Sequence, residues 1–87
     1  MSVTVELSYD MSKAFGARRV EVTDAATVQD AVTKVDSLFQ EKGQEFRQLS
    51  KVVAVAVNGV LVNHRKGMKT KLSDGDKVSF VKAASGG

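Results

Sequence analysis

Hydrophobic and polar side chains alternate at the start of the chain, with Val3, Val5, Leu7 and Tyr9 set against Thr4, Glu6 and Ser8. A period of two predicts a half-buried β-strand. The alternation breaks between Asp10 and Ala17. There Met11 and Phe15 stand four apart, enough for one helical turn over the core edge, and Gly16 suits its exit. It resumes from Arg18 to Thr23, with Val20 and Val22 inward and Arg19 and Glu21 outward. Two strands joined by a modest loop predict an antiparallel hairpin.

The period then changes. Val28, Ala31, Val32, Val35, Leu38 and Phe39 share one face at 3.6-residue spacing, while Gln29, Asp30, Thr33, Lys34, Asp36 and Gln40 fill the other. Thr27 and Asp30 stand at capping-box spacing before this helix, and Gly43 supplies its stop. A helix with a single apolar stripe must lie on a sheet. Phe46 and Leu49 predict a short turn tucked under its end.

Val52 to Val57 is a continuous apolar run, which predicts a central strand covered on both sides. Its bulkier residues, Val53, Val55 and Val57, are expected to face the helix, leaving Ala54 and Ala56 as a flat opposite face. Asn58-Gly59 is a strong two-residue hairpin signal because both positions tolerate positive φ. Val60, Leu61 and Val62 form the return strand. The segment from His64 to Lys71, with Arg65, Lys66, Lys69 and Lys71 around Gly67, reads as a basic loop, and His64 as an exposed turn residue. Leu72 re-anchors the chain, Ser73-Asp74-Gly75-Asp76 is a turn cluster, and Lys77 to Lys82 is a last strand with Val78 and Phe80 inward, Ser79 and Val81 outward.

Composition narrows the function classes. Eighty-seven residues, 43% of them hydrophobic, make one small domain with just enough core. Without cysteine, and with His64 alone, the chain offers no disulfide, no thiolate or histidine-rich metal site and no cysteine nucleophile. No apolar run reaches membrane-spanning length and no signal-peptide pattern opens the chain, so a cytoplasmic location without membrane contact is expected. Residues 1–45 carry five basic and eight acidic side chains, and residues 46–87 carry eight and two. Such asymmetry steers toward an acidic partner or a phosphate backbone, or is simply a solvated surface. Spacing assembles no nucleophile–base pair and no carboxylate dyad, so direct catalysis is not expected.

The chain finishes Lys82-Ala83-Ala84-Ser85-Gly86-Gly87. These small residues cannot fold alone, and the two glycines allow close backbone approach to another surface. Two terminal glycines occur by chance in about one chain in two hundred; here they follow directly on a strong strand pattern. The expected organisation is a domain over residues 1–82 and a flexible tail over residues 83–87.

Strand, strand, helix, strand, strand, strand predicts an α+β roll, a five-stranded mixed sheet with one main helix packed on one face. That order, the Leu72-Ser73-Asp74-Gly75-Asp76 turn, the strand Lys77-Val78-Ser79-Phe80-Val81 and the Gly86-Gly87 end together resemble the ubiquitin-like β-grasp sulfur carriers. The resemblance is to the molybdopterin synthase small subunit (MoaD-like) and then to the thiamine sulfur carrier (ThiS-like), and it extends to Thr27-Val28 and Val57-Asn58.

The resemblance implies that an E1-like adenylating enzyme uses ATP to activate the Gly87 carboxylate. Sulfur then displaces AMP to leave a thiocarboxylate for cofactor synthesis or tRNA thiolation. It implies no cofactor bound by the chain itself. It implies as partners the adenylating enzyme and an acceptor such as the molybdopterin synthase large subunit. In a ubiquitin-like modifier the partners are instead target proteins joined through their lysines. Gly86 and Gly87 are the reactive end. Leu61, Val81, Lys82, Ala54, Ala56 and Ser85 are the candidate docking residues, with half-covered strand positions as the plainer reading of Val81 and Leu61. Unlike the molybdopterin synthase subunit, the stretch Val81 to Ser85 has neither aromatic nor proline. A third class, a basic RNA-binding module, lacks free aromatics for base stacking, and nucleic acid is not an expected partner.

Overall fold

The computed structural model describes residues 1–51, 53–62 and 67–82. Val52, His64, Arg65, Lys66 and the whole tail 83–87, with Ser85, Gly86 and Gly87, lie outside the described residues. In chain order the elements are β1 (Ser2–Glu6), α1 (Tyr9–Phe15), β2 (Arg19–Thr23), α2 (Val28–Glu41), α3 (Phe46–Ser50), β3 (Val53–Val57), β4 (Val60–Leu61) and β5 (Lys77–Lys82).

The alternating start forms the expected antiparallel hairpin, β1 against β2, with Val3 opposite Val22 and Val5 opposite Val20. Tyr9, which the period-two pattern assigns to the strand, instead opens α1. Ser8 sits extended at the N-cap and its hydroxyl accepts from the Met11 N–H at 3.3 Å, so the chain turns into a helix one residue before Tyr9. Met11 is buried and Tyr9 is 74% exposed. The Lys42 ammonium donates to the Phe15 carbonyl at 2.8 Å and lies 4.4 Å from the Phe15 ring centroid, closing the far end of α1.

Helix α2 starts where the capping box expects. Thr27 Oγ1 accepts from the Asp30 N–H, and Asp30 Oδ2 accepts from the N–H groups of Thr27 and Ala26. Two further N–H groups of the first turn, on Val28 and Gln29, donate to the carbonyls of Thr70 and Met68. The end of the basic segment is thereby strapped across the helix start, and few of the groups that a helix N-terminus leaves open remain so. Thr27→Ala removes the side-chain acceptor and is expected to cost about 1 kcal/mol, lowering the thermal midpoint by about 4–8 °C. A calorimetric scan checks it, and an unchanged midpoint would show that the Thr70 and Met68 carbonyls suffice.

Val28, Ala31, Val35 and Phe39 are the buried stripe of α2. They meet Val3, Val5, Val22, Val78 and Phe80 of the sheet in one core. Full burial of side chains of this size contributes about 1.5–3 kcal/mol each. Four phenylalanines run through it: Phe15 stacks on Phe39 at 5.0 Å, Phe39 meets Phe46 at 5.2 Å, and Phe46 meets Phe80 at 5.7 Å. The short turn expected near Phe46 is the helix α3.

The sheet order is β2-β1-β5-β3-β4, with β1 and β5 parallel and the other pairs antiparallel. This is the α+β architecture expected, a mixed five-stranded sheet with its main helix on one face. The apolar run ending at Val57 is not its centre. β3 lies one strand from the edge and its residues are mostly half-buried; β5 holds the middle. Alanine makes the run apolar without giving it two covered faces. Asn58 and Gly59 turn at φ 50° and 85°, the conformation a tight hairpin needs. Return strand β4 ends at Leu61, although the Val62 N–H still bonds the Val55 carbonyl. Among the described residues, no helix is long and apolar enough to cross a membrane.

Candidate functional site

β5 delivers the chain to its tail from the middle of the sheet. It is anchored on one side by Val5–Val78 and Glu6–Ser79 pairing with β1, and on the other by five pairs with β3, from Val57–Val78 to Val53–Lys82. Its start is fixed by the preceding turn. Asp76 Oδ2 accepts from the Ser73 N–H at 2.7 Å and Asp76 Oδ1 accepts from the Asn58 amide at 3.1 Å. The first bond, then the second, holds the Asp76 carboxyl below the usual carboxylate range. Asn58 Oδ1 in turn accepts from the Lys77 N–H at 2.9 Å, so the β3–β4 turn and the start of β5 are one network.

Side-chain parity divides the sheet into two faces. Val53, Val55 and Val57 pack against the core with Val78 and Phe80. The opposite face carries Ala54 beside Val81, and Ala56 between Ser79 and Leu61. The candidate docking residues Leu61, Val81, Ala54 and Ala56 therefore share one face. Lys82 does not belong to that group: it pairs with Val53, shares the parity of Phe80, and is exposed at the end of the strand. Ser85, Gly86 and Gly87 lie outside the described residues.

The open face changes character across the sheet. On β1 and β2 it is polar: Arg19 pairs with Glu6 at 3.5 Å and Thr4 Oγ1 donates to Glu21 at 2.7 Å. On β5, β3 and β4 it is a floor of small residues, Ser79, Ala54 and Ala56, flanked by Val81 at 39% exposure and Leu61 at 64%. Ala56 and Ser79 are shielded by their neighbours, whereas Leu61 is mostly exposed and Val81 partly so. Leu61 and Val81, exposed across this small-residue floor beside a polar rim, make the open face the candidate docking surface. Sequence reading did not include Ser79 in the site, although its place between inward Val78 and inward Phe80 was the available signal. Tyr9 is exposed beside the end of β5, a consequence of the Ser8 cap that the alternating pattern does not show. No group of three metal-ligating side chains occurs among the described residues.

The family model for the ThiS family matches residues 10–87. The chain belongs to the ThiS family. The match leaves out residues 1–9, which hold β1 and the start of α1, and runs to Gly87. No curated protein matches the chain. Solved structures similar to this ThiS-family chain include the HVO 2177 protein of Haloferax volcanii, at 28% identity over all of this chain and 87% of that one, TM-score 0.73. The small archaeal modifier protein 1 of Methanosarcina acetivorans is similar at 20% identity, 99% and 96% coverage and TM-score 0.76. So is a chain in the protein–protein complex of subunits 1 and 2 of molybdopterin-converting factor from Helicobacter pylori, at 22% identity, full coverage of both chains and TM-score 0.68. The fold is the ubiquitin-like β-grasp of MoaD- and ThiS-like proteins.

Proposed function

We propose that this ThiS-family chain is a sulfur carrier, and that its reactive group is the carboxylate of Gly87. The observation that carries the reading is the family match continuing through the last residue, onto a tail that leaves from the best-anchored strand of the sheet. A carboxylate is a poor electrophile at neutral pH. An adenylating enzyme of the E1 type joins it to AMP and releases pyrophosphate; a sulfur donor then attacks the mixed anhydride and AMP leaves, giving a thiocarboxylate. The carrier supplies no acid, base or metal ligand to these steps. ATP is the partner enzyme's substrate, and placement of the tail in the partner's pocket supplies much of the rate.

The open face is the surface on which the processing enzymes dock, with Leu61 and Val81 as apolar anchors and Lys82 as a cation beside the tail. A chain of similar fold occurs in a complex with a second protein subunit, which supports a protein partner of this kind. Leu61→Asp sets a charge on that surface without touching the core. It is expected to weaken binding to the adenylating or acceptor enzyme at least about tenfold, the loss typical of a central contact residue, with an unchanged melting curve. Equal affinity of the variant in a calorimetric titration would remove Leu61 from the interface.

A second reading has its own support. A similar structure is named as a small archaeal modifier protein, so conjugation of Gly87 to lysines of other proteins uses the same activated terminus. RNA binding has less: Phe39, Phe46 and Phe80 are buried and Phe15 is half-buried, which leaves Tyr9 alone for stacking. The test is incubation with ATP, the adenylating enzyme of the same cell and a sulfide source, followed by intact-mass measurement. Exchange of one oxygen for sulfur supports carriage, covalent adducts recovered from cells support modification, and an unaltered mass with no adducts overturns both.

A further inference from the structure

The parallel ladder between β1 and β5 stops at Glu6–Ser79, three residues before β5 ends, because Ser8 turns the chain away into α1. The backbone of β5 alternates its bonding direction: the Asp76 carbonyl accepts from Thr4 on the β1 side, and the Lys77 carbonyl accepts from Asn58 on the β3 side. Continued along the strand, this alternation points the Phe80 carbonyl and the Lys82 N–H toward β1, beyond the last β1 pair. Among the described residues, no backbone hydrogen bond crosses from Ser8 or Tyr9 to Phe80 or Lys82. A notch of about 300 Å³ adjoins the gap, lined by Ser8, Tyr9 and Asp10 on one side, by Phe80, Val81 and Lys82 of β5, and by Val53 of β3 at its inner end. Tyr9 forms its outer wall with the Lys13 ammonium 5.2 Å from its ring centroid.

We propose that this notch takes an extended segment of the adenylating enzyme, which adds to the open edge of β5 as a short strand, with Tyr9 as the aromatic anchor of the contact. The proposal rests on the carrier reading and names how its partner recognises the chain. Reach fixes the occupant. Five residues separate Lys82 from the end of the chain, and five extended residues span at most about 16–18 Å. Whatever protein closes its active site over Gly87 must bring its own surface to the end of β5, where unpaired backbone groups face outward. Such groups are a template for strand addition, and a tyrosine held beside them is a residue type enriched at interface cores. Lys82 and Lys13 outnumber Asp10 around the notch, so the complementary segment carries an acidic side chain.

Two variants test this with the adenylating enzyme of the same cell, reading ATP–pyrophosphate exchange against carrier concentration. Tyr9→Ala is expected to raise the apparent KM for the carrier about tenfold, with kcat within about twofold and an unchanged melting curve, while Tyr9→Phe stays near wild type. Lys82→Pro removes an N–H that points away from β3; it is expected to raise KM well above that of Lys82→Gln, which loses the same charge but keeps the N–H, while the sheet melts as before. If the wild-type chain is adenylated and both variants match it, the notch is not read and the carrier function stands. If the wild-type chain is not adenylated, the carrier reading itself fails and takes this inference with it. Lower kcat with unchanged KM would also overturn the docking role.

Discussion

Deleting Gly87 is expected to abolish adenylation and every product that follows from it, while the folded domain melts as before. The deletion leaves a free carboxylate, now on Gly86, but withdraws it from the partner's pocket by one residue, about 3.5 Å. Reacting atoms must come within about 3–3.5 Å, and a misplacement of about 1 Å already costs on the order of a hundredfold. The loss should therefore be at least about a hundredfold in pyrophosphate release, with no sulfur-for-oxygen exchange in the intact mass. Gly86→Val is expected to do the same by bulk, since its branched side chain both narrows the allowed backbone and widens a tail that must thread a tight channel. A truncated chain that is modified at the wild-type rate would place the reactive group elsewhere.

The largest expected effect on stability comes from Phe39→Ala. Phe39 is fully buried and touches both Phe15 and Phe46, so its loss opens a cavity where α1, α2 and α3 meet. Large-to-alanine changes at such sites cost about 3–5 kcal/mol, against a total stability of about 5–15 kcal/mol for a typical domain. In a chain this small the variant should be partly unfolded at ambient temperature. Phe39→Leu keeps most of the volume and should cost about 1.5 kcal/mol or less. Urea unfolding of both variants checks the order, and a loss under about 1 kcal/mol for the alanine variant would show that the neighbouring rings close the gap.

Local patterns made much of this fold legible. The stripe from Val28 to Phe39, the Thr27–Asp30 box, the Asn58-Gly59 turn and the alternation of Val78 and Phe80 with Ser79 and Val81 each depend on neighbours in sequence, and each is found as expected. What local pattern could not show was decided by competition or by distance. At Tyr9 the strand period and the Ser8 cap made opposite demands. The hydroxyl bond to Met11, together with burial of Met11, won. The rank of β3 in the sheet depends on which strand pairs with which across twenty or more residues, and no six-residue window carries that. The candidate docking face was half visible: the shared side of Leu61, Val81, Ala54 and Ala56 follows from parity, whereas Lys82 falls on the other parity, and the exposure of Tyr9 arises only because a helix takes it out of the strand.

The position of β5 bears on what happens when the tail is grasped. Any partner that draws Gly87 inward applies tension along a strand flanked by β3 as far as Lys82 and by a parallel β1 as far as Ser79. Sliding that strand requires its cross-links to both neighbours to rupture together, where an edge strand would peel off one link after another. The body therefore behaves as a rigid bead. It can be hauled, turned and released by its tip without unravelling, which is what the proposed cycle of loading and delivery requires.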